Sequence, residues 1–121
     1  MHERDVVRMP PLSGKMHPAV VLRVVEDRSK GIVIFGTGTG PYAPQYIGVA
    51  HCEVAPKPSL NGTRLDLHKP TFFYLTNTRW CDAKSATFAM LRCPMELWFK
   101  LYEIAEQSAL APTATIPIAA P

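Results

Sequence analysis

His17 and the threonine pair Thr37 and Thr39 are the side chains of this 121-residue chain whose type and placement best suit chemistry. His17 opens the stretch HPAVVL, between a polar loop and an apolar run. An imidazole at a loop mouth can give or take a proton near neutral pH. The ordinary reading of the same residue is a surface histidine at a strand entry. Thr37 and Thr39 lie in GTGTG, where glycine lets backbone and hydroxyls come close to a ligand. The ordinary reading there is a flexible strand exit. GTGTG is neither kind of phosphate loop, because Pro41 and Pro44 follow where a helix or a Gly-Lys-Ser/Thr would be needed. His51-Cys52-Glu53 has the H-x-E order of zinc deaminases, but Cys81 and Cys93 are too far apart for their P-C-x-x-C. Small buried thiols are the ordinary reading of these cysteines. No metal and no cofactor is expected.

The elements around these residues read as strands. Ala19–Val25 and Ile32–Phe35 are rich in Val and Ile, which fit a pleated packed surface. The polar loop EDRSKG joins them, so they form an antiparallel hairpin. Val20, Leu22 and Val24 share one face; Ala19, Val21 and Val25 share the other, interrupted by Arg23. A strand apolar on both faces belongs in the middle of a curled sheet or barrel. Arg4–Met9 is a first strand, stopped by Pro10–Pro11. Leu12–Met16 is a loop. Tyr46–Val54 reads as a strand with a bend at Gly48, and Ala55–Thr63 as a loop with a turn at Asn61–Gly62. Thr71–Leu75 is a strand, which Thr78–Cys81 either extends or follows. Thr87–Leu91 is a final strand or a lead-in to a helix. The helix is predicted over Pro94–Ser108, where Leu97, Trp98, Leu101, Ile104 and Ala105 make one apolar stripe. Phe72, Phe73, Tyr74 and Trp98 read as core rather than as platforms for bases; Trp80 could lie at an interface or binding face. The fold class is mainly β, a small antiparallel barrel with one C-terminal helix. Residues 1–109 are one domain, and 110–121, rich in Ala and Pro, a flexible tail.

Composition narrows the partners. Apolar content of 47% and charged content of 19% are those of a globular chain. The N-terminus MHERDVVRM has no apolar signal region, and no apolar run is long enough to span a bilayer, so a cytoplasmic location is expected. Three widely spaced cysteines do not form a disulfide framework. Residues 1–93 hold 12 of the 13 Lys/Arg but 7 of the 10 Asp/Glu, so the front portion is basic, which is compatible with a nucleic-acid partner.

Two stretches resemble the MazF/PemK toxins of toxin–antitoxin pairs. The first is DVVRM, a loop with Ser13–Gly14, HPAVVL and IVIFGTGT; the second is KPTFFYLTNTRWCDAKSATF and the helix after it. The resemblance implies an SH3-like β-barrel, a homodimer, an antitoxin protein as partner, and metal-independent endoribonuclease activity on single-stranded RNA. It assigns the family's catalytic Arg to the position of His17, and its catalytic Thr to Thr37 or Thr39. Arginine chiefly stabilises charge, whereas histidine can also move protons. The change therefore leaves two readings open, a ribonuclease of altered chemistry or a non-catalytic barrel that binds RNA or a protein partner. Arg8, Lys15 and Arg64 would supply positive field, and the loop Pro10–Met16, which holds Ser13, would border with Gly36–Gly40 a groove narrow enough for an unpaired strand. Tyr42 or Tyr46 could stack on a base. RNA binding is expected to be weak, because the basic residues are scattered and few phosphates are neutralised at once.

Overall fold

The Val/Ile runs build a single antiparallel sheet. The computed structural model describes residues 1–9, 17–55 and 70–108. Its elements are β1 (Asp5–Met9), β2 (His17–Val24), β3 (Lys30–Thr37), β4 (His51–Val54), β5 (Thr71–Asp82), a turn of 3₁₀ helix at Ala83–Ser85, β6 (Thr87–Arg92) and α1 (Met95–Ala105). The strand order is β4-β5-β3-β2-β1-β6, with every neighbouring pair antiparallel. This is a small, mainly β, barrel-like fold with one C-terminal helix. Among the described residues no helix is long and apolar enough to cross a membrane. The loop 12–16, the turn at Asn61–Gly62 and the tail 110–121 lie outside the described residues.

The β2–β3 hairpin lies at the centre, as its two apolar faces require. Val20, Leu22, Ile32 and Ile34 pack with Phe73 and with Leu97, Leu101 and Ala105 of α1. Ala19, Val21, Val33 and Phe35 pack on the opposite face with Val7 and Cys81. Val24 departs from the simple alternation. The β2–β3 register shifts between Val21 and Arg23, and this bulge moves Val24 to the face of Val21 instead of that of Leu22. The helix is tied down by more than packing: Trp98 Nε1–H donates to the Val21 carbonyl at 3.1 Å. The same carbonyl accepts from the Arg4 backbone N–H at 2.8 Å.

One expected strand is shorter than read, and one open alternative is decided. Of Tyr46–Val54, only His51–Val54 is strand. Residues 41–48 are successive turns, with Tyr46 N–H donating to the Ala43 carbonyl at 2.9 Å and Val49 N–H to the Tyr46 carbonyl at 3.1 Å. Pro41 and Pro44 have no N–H for a ladder, and Gly48 takes φ of 77°, which suits glycine. Thr78–Cys81 extends Thr71–Leu75, and the two make one strand of 12 residues. Its β3 pairing jumps from Thr78–Ile34 to Phe73–Gly36, so Tyr74–Asn77 stand against Phe35 alone. Such a bulge bends the strand and re-aims its side chains.

Candidate functional site

The strand registers gather the site at one end of the sheet. Thr37 pairs with Phe72, and Phe72 with Glu53 on its other side. The β2–β3 register, with Ala19 opposite Phe35, continues to bring His17 opposite Thr37. Paired residues project from the same face, so His17, Thr37, Phe72 and Glu53 form one row, on the face of Ala19 and Phe35. Two residues further along β5 and β4, Tyr74 and His51 pair and project from that face too.

His17 is half-buried, and its Nδ1 lies 3.0 Å from the Gly36 carbonyl oxygen. A carbonyl only accepts, so Nδ1 carries the hydrogen and donates it. That fixes the tautomer of the neutral ring and leaves Nε2 with its lone pair. Gly36 is the residue just before Thr37, so the histidine is held to the backbone that carries the threonine. Gly36 is needed there: a Cβ would meet Thr71 Cγ2 at 2.5 Å and the Phe73 ring at 3.0 Å. Beyond β3 the chain turns on its own hydroxyls. Thr39 N–H donates to Thr37 Oγ1 at 3.2 Å, and Thr37 Oγ1 is 3.4 Å from Thr39 Oγ1. Both hydroxyls therefore sit at an exposed corner next to the imidazole strand.

An aromatic wall supports that corner. Tyr74 is fully buried, and its hydroxyl donates to the Thr39 carbonyl at 2.7 Å. Tyr46 stacks on Tyr74 with ring centroids 3.7 Å apart and planes 2° from parallel. Asn77 Nδ2–H donates to the Tyr46 hydroxyl at 3.2 Å. Phe72 lies 6.2 Å from Tyr74, and the exposed His51 ring tilts against Tyr74 at 5.4 Å and Phe72 at 6.3 Å. Burial, and after it the neighbouring Tyr46 and Glu53, push the Tyr74 phenol above its ordinary range, so it stays a donor well into alkaline solution. On the same face the Arg79 guanidinium lies over the Phe35 ring at 4.7 Å.

Of the residues singled out from the sequence, His17, Thr37 and Thr39 come together. Arg8 does not join them. It pairs with Pro18 and Thr87 and alternates with Val7, so it projects from the opposite, helix-bearing face. Tyr42 is 92% exposed, in the turns after Gly40. Tyr46 offers only one ring face, because Tyr74 covers the other. Ser13, Lys15 and Arg64 lie outside the described residues. Phe73 and Tyr74 are core as read, but Phe72 is half-buried at the site. Trp80 is partly buried against the helix-side core, with Lys30 Nζ 5.4 Å from its ring centre. Sequence reasoning missed Asn77 and Arg79, and it weighed His51 and Glu53 only as the H-x-E of a zinc site. The alternation in TFFY signals that Phe72 and Tyr74 share a face, but nothing local signals that β4 pairs beside them.

Among the described residues no group of three or more His, Cys, Asp or Glu side chains is placed to hold a metal ion. Cys52 packs with the helix-side core and Cys81 with the opposite one, which separates two of the ligands a zinc site would have used. An open hollow of about 300 Å³ lined by Glu3, Arg23, Glu26 and Arg28 lies at the other end of the β2–β3 hairpin, away from His17. The sequence matches no known protein family and no curated protein.

Proposed function

We propose that this chain is a MazF/PemK-like toxin, a metal-independent endoribonuclease acting on single-stranded RNA with His17 as its proton-transfer group. The observation that carries the reading is the bond from His17 Nδ1–H to the Gly36 carbonyl, beside Thr37. It leaves Nε2 free to take the proton of a ribose 2′-hydroxyl. The 2′-oxygen then bonds to phosphorus as the bond from phosphorus to the 5′-oxygen breaks, and the leaving oxygen, on the far side of phosphorus from the imidazolium, takes its proton from water while the imidazolium gives its own back to solvent. The products are a 2′,3′-cyclic phosphate and a 5′-hydroxyl. Thr37 and Thr39 would donate hydrogen bonds to the non-bridging oxygens as charge builds there. A homodimer, an antitoxin partner and a cytoplasmic location belong to the same proposal.

A second reading has a specific observation behind it. The reaction asks for a cation near the phosphoryl oxygens; Arg8 projects from the wrong face to supply one, and Arg79, on the right face, is stacked over Phe35. A barrel that binds RNA or a protein partner without cutting needs no such cation. The test is incubation of purified protein with a single-stranded RNA in excess EDTA, over ~pH 5 to ~8, beside His17→Ala. The ribonuclease reading expects cyclic-phosphate product, lost in His17→Ala. Binding without any product would select the second reading. A pH-independent rate would remove His17 from proton transfer.

A further inference from the structure

Glu53, His51 and Phe72 form a unit that the cleavage chemistry does not use. Phe72 and Glu53 are directly paired across β5 and β4, so their Cβ atoms stand about 5 Å apart on one face. The carboxylate is exposed, on the outermost strand of the sheet. His51, also exposed, tilts over Phe72 and Tyr74. Tyr74 is already covered by Tyr46, which leaves Phe72 and His51 as the ring surfaces open to a ligand on β5 and β4 themselves. Two strand spacings separate Phe72 from His17, about 10 Å. An RNA strand with its phosphate at His17 and Thr37 would carry a flanking base across Phe72.

We infer that Phe72, His51 and Glu53 are a guanine-binding subsite, Phe72 and His51 stacking on the base while the Glu53 carboxylate reads its Watson–Crick edge. An ionised carboxylate only accepts hydrogen bonds. Guanine alone presents two adjacent donors on that edge, N1–H and the 2-amino group. Adenine and cytosine offer one donor beside an acceptor, and uracil offers one donor flanked by two acceptors. Each of these would set an acceptor against the carboxylate. Unpaired bases in single strands are recognised in this way, by stacking on aromatic rings and hydrogen bonding along exposed edges. The subsite rests on the reading of the His17–Thr37 corner as an RNA site.

The experiment uses hexaribonucleotides with 2′-O-methyl groups, which cannot be cut, in a uridine background with one guanosine, inosine or adenosine at each position in turn. Binding is followed by fluorescence anisotropy at low salt. Expected is about tenfold tighter binding of guanosine than of inosine, which lacks the 2-amino group, at one position only. Glu53→Gln should erase that preference while binding of the all-uridine strand persists. Phe72→Leu should weaken all the strands together. Circular dichroism and thermal unfolding check that both variants fold. If RNA binds with no preference for guanosine, or if Glu53→Gln leaves the preference intact, the subsite is refuted while the RNA reading stands. Absence of binding to every strand, including an unmodified RNA, would overturn both.

Discussion

Replacing Tyr74 with phenylalanine removes one oxygen, and with it the 2.7 Å bond that pins the Thr39 carbonyl. The ring remains, so its stacking on Tyr46 and its burial are kept. A neutral intramolecular hydrogen bond contributes about 0.5–1.5 kcal/mol net. Thr39 is exposed, so water can replace the lost donor, and a loss near ~1 kcal/mol is expected. With a urea slope of about 1–3 kcal/mol per molar, the midpoint falls by roughly 0.3–1 M. The pH dependence separates this bond from general packing. The folded phenol titrates above its ordinary value of 10.0, with burial as the largest cause. Above that value the unfolded chain releases its proton first, so the folded state holds more protons and stability falls as pH rises. The contribution is whole below about pH 10 and is lost as pH climbs through the folded value. Tyr74→Phe lacks it at every pH. The gap between native protein and variant should therefore be widest near neutrality and narrow in alkaline solution. Urea titrations at neutral pH and near ~10.5 measure it. A gap that stays constant, or a neutral-pH loss above ~3 kcal/mol, would refute the reasoning, since the first removes the proton linkage and the second means the ring itself has moved.

Gly36→Ala should destabilise by about 1–3 kcal/mol in the same assay, because its Cβ would press on Thr71 at 2.5 Å and on Phe73 at 3.0 Å. The same variant shifts the carbonyl that holds His17, so any RNA cleavage should fall with it. Leu101→Ala removes a fully buried side chain joining α1 to the sheet and should cost about 2–5 kcal/mol, read from chemical denaturation. Burial raises the Cys52 and Cys81 thiols above their ordinary value, and Cys93 is fully buried. A thiol-specific reagent near pH 8 should therefore label the native protein far more slowly than the protein in denaturant, with Cys52, the least buried, modified first.

How far the sequence could be read depends on how local each signal is. The β2–β3 hairpin was legible because Val and Ile at alternating positions already state both faces. The helix was legible because Leu97, Leu101 and Ala105 repeat at its period; all three are buried in the structure. The β2 bulge was not, since Val24 obeys the simple alternation and changes face only through pairing with Gly31. Nor was β4, a strand of four residues behind turns that Pro41, Pro44 and Gly48 impose. His17 could be picked out by type and place, but its tautomer could not. That rests on a carbonyl 19 residues away, which only the strand register brings to 3.0 Å.

The same difference explains where the unexpected part of the site lies. LTNT leaves open locally whether one strand continues or a second begins, because Thr and Asn suit turns as well as ladders. In the fold it is the bulge of one continuous strand. One end of β5 pairs with β3 through Thr78, and the other pairs with both β3 and β4 through Phe72 and Phe73. The bend between them sets Tyr74 under Thr39 and Asn77 against Tyr46. Bulges are common beside functional sites because an unpaired stretch of strand can aim side chains that a regular ladder cannot. Here it couples the GTGTG corner to the aromatic wall. A one-residue deletion within 74–77, which shifts Tyr74 and Asn77 alike, should therefore disturb Thr39 and Tyr46 together, while leaving the His17–Gly36 bond, made on the far side of β3, in place.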